Sequence, residues 1–225
     1  MPKHQFDRPL ALKDQVYRIL RDRVRQGALA PGERLVDATL ARDMNISRTP
    51  VREALQLLVH EGLLDPTTRG FKLYEPDQAE VAHLFELRLL LEPALAAKAA
   101  QAGREKEKAR LLACVSKAAD TVADPTPDRF NTAIYRFFEI LVALCDNRVM
   151  AQSVLLYHDR LAQLRVQMMA DPLHRALAAD GYTSVAQAIV AQDAEATCAA
   201  AERHIRAGIA TCKTLGLMAK DETDR

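Results

Sequence analysis

The sequence predicts a mainly α-helical protein, in which an N-terminal winged helix-turn-helix precedes an all-α bundle of six or seven helices. Apolar residues recur at three- and four-residue steps through most of the chain, which is the spacing of amphipathic helices. Only residues 63–73 have the pattern of a β-hairpin, with a turn that contains Arg69 and Gly70. The stretch Tyr74-Glu75-Pro76 is a stiff joint, so we expect domains at residues 1–75 and 76–225.

The first domain is expected to begin with a helix over residues 10–26, followed by a second helix over about residues 38–44. Asp37 precedes the second helix, and its carboxylate is expected to cap the free backbone N–H groups there. Asn45 and Ile46 then form a tight turn, since Asn tolerates a left-handed backbone.

The third helix is the segment that indicates function. Ser47 or Thr49 is expected to cap it, and Pro50 lies in its first turn, where a missing N–H costs nothing. The second helix of a helix-turn-helix presents side chains at this end to base edges in the major groove. Periodicity alone equally allows an ordinary helical hairpin with solvated arginines. The exposed candidates are Ser47, Arg48, Thr49 and Arg52.

Two short strands over residues 63–66 and 71–73 are expected to form the wing. An arginine beside a glycine at the hairpin tip, here Arg69 and Gly70, can enter the minor groove or clamp a phosphate. Arg34 lies just before the helix-turn-helix, where it is either a DNA contact or a plain surface charge.

The order of these motifs is that of a known family. They resemble the winged helix-turn-helix of GntR-family transcription regulators over about sixty-five contiguous residues. The matching motifs are Pro31-Gly32-Glu33-Arg34-Leu35, Leu40-Ala41, Ser47 to Leu55, Glu61-Gly62-Leu63 and Arg69-Gly70. The resemblance implies that double-stranded operator DNA is contacted by Arg34, Ser47, Arg48, Thr49, Arg52, Arg69 and Gly70.

The second domain is expected to contain helices only. Asp77 and Glu80 have the spacing of a capping box at the start of the first one, and Thr183 or Ser184 is expected to cap a late one. The helices are expected over about residues 79–102, 105–122, 129–145, 147–169, 173–178, 185–191 and 193–215.

This helical domain resembles that of the FadR subgroup of GntR regulators, the FCD-type domain, which binds a small effector in a central cavity. The match is diffuse and covers nearly all of residues 77–215. It is carried by the segments 87–93, 141–147 and 188–196 and by His204-Ile205.

Many relatives in this subgroup hold a divalent metal with one Asp and three His side chains. The corresponding positions of this chain are Ile134, Phe138, Tyr182 and His204. Ile and Phe have no lone pair to donate, and a single imidazole does not hold zinc or nickel against water. We therefore expect no metal site and no cofactor.

Without a metal, the effector needs other partners. Arg88, Arg165 and His204 are candidates to bind a carboxylate through charge-assisted hydrogen bonds, and Tyr182 can donate one more. The alternatives are surface salt bridges for the two arginines and a satisfied core position for His204. The expected effector is a small organic acid or an acid with an apolar tail.

Composition excludes several classes of protein. The net charge is only +1, but residues 1–75 hold 13 Lys and Arg against 10 Asp and Glu, and the remainder holds 18 against 20, so the first domain is mildly basic. The four cysteines have no paired ligand spacing, which indicates reduced thiols. No apolar run is long enough to span a membrane, and we expect a cytoplasmic protein.

Together these features predict a homodimeric, ligand-responsive, sequence-specific transcription regulator, most simply a repressor released by a small organic acid. One alternative is a ligand-blind DNA-binding protein whose C-terminal domain is degenerate, purely structural or dimerising. An enzyme is not expected, since no nucleophile elbow, metal-ligand cluster or acid/base pair occurs at a meaningful spacing.

Overall fold

The computed structural model describes residues 11–29, 33–102 and 104–219. The chain divides into two compact units, Met1–Tyr74 and Glu75–Arg225. The Pro31-Gly32 part of the matching motif lies outside the described residues.

The first unit is a winged helix-turn-helix. The elements are α1 (Leu12–Arg25), β1 (Arg34–Leu35), α2 (Asp37–Asp43), α3 (Arg48–His60), β2 (Leu64–Thr67) and β3 (Gly70–Leu73). Apolar residues at helical spacing bury one face of α1 and one face of α3 against each other, and Val51, Leu55 and Leu58 of α3 are completely buried. The strands form an antiparallel sheet in the order β1-β3-β2.

Some of the predictions made for this unit from local sequence are confirmed and others are wrong. Asn45 has φ 53°, the left-handed conformation expected at the turn. Ser47 is the residue before α3, but its side chain makes no capping hydrogen bond. The expected cap at Asp37 is wrong, because Asp37 is already the first residue of α2 and Val36 precedes it. Strand β1 was not predicted.

The second unit contains seven helices in its described part, as the fold class predicted. Asp77 caps the first of them by accepting the Glu80 N–H at 2.8 Å. The helices are α4 (Gln78–Gln101), α5 (Glu105–Asp120), α6 (Asp128–Leu144), α7 (Arg148–Arg160), α8 (Ala162–Met168), α9 (Pro172–Val190) and α10 (Ala194–Thr214). Buried residues from α4, α6, α9 and α10 dominate the core.

Two helix predictions in this unit are wrong. The helix expected over residues 147–169 breaks at Leu161 into α7 and α8, although no Gly or Pro lies between residues 148 and 168. Conversely, α9 is continuous where a break was expected. The Ser184 hydroxyl donates to the Asp180 carbonyl at 2.9 Å, so this residue is satisfied inside the helix rather than at its start.

A buried arginine fixes the start of α9. Arg175 is 1 % exposed, and its guanidinium donates four hydrogen bonds of 2.7–3.0 Å to backbone carbonyls. The acceptors follow the C-terminal ends of α5 and α8, where helices leave carbonyls without intrahelical partners. They are the carbonyls of Val122, Asp124, Met169 and Ala170.

No helix in the described residues is long and apolar enough to cross a membrane. The four cysteines are free thiols.

Candidate functional site

The N-terminal end of α3 is exposed in the first unit. Ser47, Arg48, Thr49 and Arg52 all have exposed side chains, while Val51 between them is buried against the domain. This end of the helix therefore presents two arginines and two hydroxyls to solvent, a donor set suited to phosphates and to guanine edges.

Arg48 is held by an ion pair that the sequence did not reveal. Its Nη2 atom donates to both carboxylate oxygens of Asp37, at 3.0 and 3.1 Å. Arg48 is 67 % exposed and Asp37 only 16 %, so the acid is fixed against the domain and the arginine stands outward from it. The Asp37 carboxylate thus engages a side chain of α3. Arg52 has no such anchor among the contacts of the described residues.

The three residues predicted to contact DNA from the wing lie in different structural positions. Arg34 lies in β1 opposite Lys72 of β3, and the two exposed cations share one face of the sheet. Arg69 is exposed in the turn between β2 and β3. Gly70 has φ 126°, and a Cβ there would lie 2.6 Å from the Leu35 carbonyl oxygen. Glycine is therefore required for β3 to pass β1.

The second unit contains a cavity between α4, α6, α7, α8, α9 and α10. Its volume is about 60 Å³, room for a few water molecules. All four residues predicted to bind an effector line it: Arg88, Arg165, Tyr182 and His204. Of the described residues that form its wall, none is Asp or Glu. Neither arginine is therefore a plain surface residue, although Arg88 does form a salt bridge with Glu92.

Arg88 enters the wall already paired. Its Nε and Nη2 atoms donate to the two carboxylate oxygens of Glu92, at 2.9 and 3.3 Å, and its guanidinium lies 4.7 Å from the centre of the Phe85 ring. Burial acts to lower the pKa of Arg88, but the attraction of Glu92 outweighs it and the pKa is raised. Arg88 is thus a permanent cation in the cavity wall.

His204 and Tyr182 form one polar end of the cavity, with ring centres 4.1 Å apart. Burial, with a smaller contribution from Arg88, lowers the pKa of His204 to about 3, so the imidazole is neutral at physiological pH. A neutral imidazole can still donate one N–H to a carboxylate, so His204 stays a candidate partner of the acid. A Cβ at Gly181 would lie 2.3 Å from His204 Nδ1, so glycine is needed for the ring to lie against α9.

Arg165 contacts a buried aromatic pair. Its Nη1 atom lies 3.4 Å from Nε2 of His158, whose ring stacks on Phe138 with centres 3.5 Å apart. Burial lowers the pKa of Arg165. An anion placed beside Arg88 and Arg165 meets two cations in a poorly solvated site, where charge-assisted hydrogen bonds are strong.

His174 and Thr211 also line the cavity, and the sequence analysis assigned neither. His174 was missed because a helix break was expected between residues 178 and 185. On a continuous α9, His174, Ala178 and Tyr182 follow each other at four-residue steps on one face. That spacing was the available signal.

Two family models match the chain, and together they cover both units. Residues 12–70 match the model described as "Bacterial regulatory proteins, gntR family". Residues 83–207, more than half of the chain, match the FCD domain. The chain belongs to the GntR family of transcription regulators, in the group that carries an FCD domain.

Curated members of this GntR family share part of their length with the chain. The HTH-type transcriptional regulator YdhC of Bacillus subtilis is 29 % identical over 153 residues, 66 % of this chain and 67 % of that protein. The gluconate operon repressor of B. subtilis is 34 % identical over 32 % of this chain and 30 % of its own length. The repressor RspR of Escherichia coli is 34 % identical over 40 % of each chain.

A solved structure is similar to this chain over almost the whole length of the chain. McbR/YncC of E. coli superposes with a TM-score of 0.81 at 21 % identity, and the match covers 92 % of this chain and 100 % of that one. At this identity the likeness shows the fold.

Of the four positions aligned above with the metal ligands of many relatives, three hold apolar or aromatic side chains and the fourth is His204. Ile134 lines the cavity, Phe138 is covered by the His158 ring, and Tyr182 lies beside His204. Across residues 11–29, 33–102 and 104–219, no three His, Cys, Asp or Glu side chains come together as a possible metal site.

Proposed function

We propose that the protein is a homodimeric repressor whose affinity for operator DNA changes when a small organic acid binds in the FCD cavity. The observation that carries this proposal is the wall of the cavity, which contains Arg88, Arg165, Tyr182 and neutral His204 and no Asp or Glu among its lining residues. The names of two relatives, which are both called repressors, support repression rather than activation.

Arg88 makes the proposed effector a competitor of Glu92. A bound carboxylate replaces or shares the bidentate contact that Arg88 makes with Glu92. Arg88 is paired with Glu92 in one state and with the bound acid in the other. This difference can couple acid binding to DNA affinity, because a ligand shifts a conformational equilibrium only through contacts that differ between the states. By reciprocal linkage, an acid that weakens DNA binding is itself bound less tightly by the DNA complex.

Exposed apolar side chains on the helical domain support the homodimer. Leu90 on α4 and Val149 on α7 are 73 % and 75 % exposed, and Leu87 and Leu156 on the same helices are also exposed. Sedimentation of the purified protein measures the assembly directly, and a monomer at micromolar concentration contradicts this part of the proposal.

Arg52 is the residue whose substitution tests DNA recognition best, since Arg48 is engaged by Asp37. We expect Arg52→Ala to lower affinity for the operator by about five- to a hundredfold, the value of one bidentate guanine contact. The operator is first selected from a pool of random duplexes, and affinity is then measured by fluorescence anisotropy. Arg18→Ala, which removes an exposed arginine of α1, is the matched control. Unchanged affinity of the Arg52 variant contradicts the assignment.

A ligand-blind regulator makes a different prediction from ours. In that case operator binding is specific, but no acid changes it and none raises the unfolding temperature of the protein. A ligand that binds the native state must raise that temperature by mass action.

A further inference from the structure

The cavity has a second polar end, which the proposed carboxylate contacts do not use. Helices α9 and α10 are neighbours joined by a short turn at residues 191–193, so they run antiparallel. Tyr182 of α9 meets His204 of α10 at one level of this pair.

His174 and Thr211 lie together at another level. His174 precedes Tyr182 by eight residues, which is ~12 Å along a helix, and Thr211 follows His204 by seven, ~10 Å. Because the helices are antiparallel, both steps lead in the same direction. Both residues line the cavity that Tyr182 and His204 line. The cavity is therefore lined by polar side chains at two levels, which lie ~10–12 Å apart along the two helices.

The wall between the two ends is apolar. Met168, Ala178 and Gly208 line this middle part. A Cβ at Gly208 would lie 3.2 Å from the Phe85 ring, so glycine leaves space that alanine would fill. Met168 and Met169 are flexible side chains that can repack around a ligand larger than the present 60 Å³.

His174 carries a polar atom without a protein partner. Its Nδ1 atom is shielded from solvent and makes no hydrogen bond to any described residue. Nearly all buried polar atoms in native proteins are hydrogen-bonded, and leaving one unbonded is costly. An oxygen of a bound ligand supplies the missing partner at this end of the cavity.

We propose that His174 and Thr211 bind a second oxygen at the far end of the effector, which is then an ω-oxygenated carboxylic acid such as a dicarboxylate or an ω-hydroxy acid. One carboxylate lies at the end formed by Arg88, Arg165, Tyr182 and His204, the chain passes the apolar middle, and the second oxygen reaches His174 Nδ1. The inference rests on the proposed function, because it uses the same cavity. It narrows the effector class by rejecting acids with a plain apolar tail.

The test compares acids of equal chain length by calorimetry on the full-length protein. Succinate, adipate and suberate, with the corresponding ω-hydroxy acids, are measured against butanoate, hexanoate and octanoate. We expect one ω-oxygenated acid to bind about two- to tenfold more tightly than its monocarboxylate, the value of one hydrogen bond. His174→Leu should reduce that ratio to about one. Thr211→Val, which is nearly isosteric, should reduce it partly, and His83→Leu on the exposed face of α4 is the control.

The outcomes separate this inference from the proposal it rests on. If no acid binds the wild-type protein, the organic-acid effector is wrong and this inference falls with it. If monocarboxylates bind as tightly as their ω-oxygenated counterparts, or if His174→Leu keeps the preference, the second end is wrong and the effector cavity stands. A preference that His174→Leu abolishes, Thr211→Val weakens and His83→Leu keeps supports the inference.

Discussion

Replacing Gly181 by alanine tests whether close packing between α9 and α10 holds His204 in the cavity. In a helix interior this change normally stabilises a protein by about 1 kcal/mol, because alanine restricts the unfolded chain. Here the new Cβ would lie 2.3 Å from His204 Nδ1, 3.0 Å from its Cγ and 3.3 Å from its Cβ. Such overpacking costs about 1–3 kcal/mol, so the net effect should be a destabilisation of up to about 2 kcal/mol.

A double-mutant cycle isolates the contact between position 181 and the His204 side chain. In a His204→Ala background the two closest atoms are gone, so Gly181→Ala should stabilise the protein by up to about 1 kcal/mol. The coupling between the two positions is then about 1–3 kcal/mol, as expected for residues in direct contact. Unfolding in urea is followed by far-UV circular dichroism, since the chain has no Trp. Gly208→Ala, with its nearest contact at 3.2 Å, should give a smaller effect. Equal effects of Gly181→Ala in both backgrounds would refute this packing of His204.

Three further predictions concern the same helical domain. Arg175→Met should lower the stability of this domain by about 3–5 kcal/mol, because four backbone carbonyls lose the buried guanidinium that donates to them. A loss below about 1 kcal/mol in urea unfolding contradicts this role of Arg175. Between pH 7 and pH 5 the unfolded chain protonates His204 near its ordinary pKa of about 6.5, whereas the folded chain, with a pKa of about 3, does not. Stability should therefore fall by about 1–2 kcal/mol more in the wild type than in His204→Gln, and parallel pH profiles contradict this. Glu92→Gln removes the internal competitor for Arg88, so an effector acid should bind about tenfold more tightly in calorimetry, and unchanged affinity contradicts the competition.

The sequence predicted best those features that depend on local patterns. The left-handed Asn45, the start of α3 at Ser47 and the cap at Asp77 follow from residue chemistry within a few positions. Strand β1 was missed because two residues have no period to read, and its pairing partner lies far along the chain. The Asp37–Arg48 pair was missed for the same reason, since it joins two helices across a turn.

In the cavity, residue types were easier to predict than the partners that set their charge. Arg88, Arg165, Tyr182 and His204 do share one cavity. The neutral state of His204 depends on burial and on nearby Arg88, which no short pattern contains. The continuity of α9 was hidden because Gly181, Thr183 and Ser184 resemble a helix boundary. Gly181 instead makes room for His204, and that misreading also hid His174.

The most direct test is to measure operator affinity by anisotropy with and without a carboxylate that raises the unfolding temperature of the protein. Both measurements are made with and without excess chelator. We predict that the acid changes operator affinity equally with and without chelator, and that the change disappears in Arg88→Leu, whose side chain lines the cavity. If no acid changes the affinity, or if the change requires a divalent metal, the metal-free acid sensor is wrong.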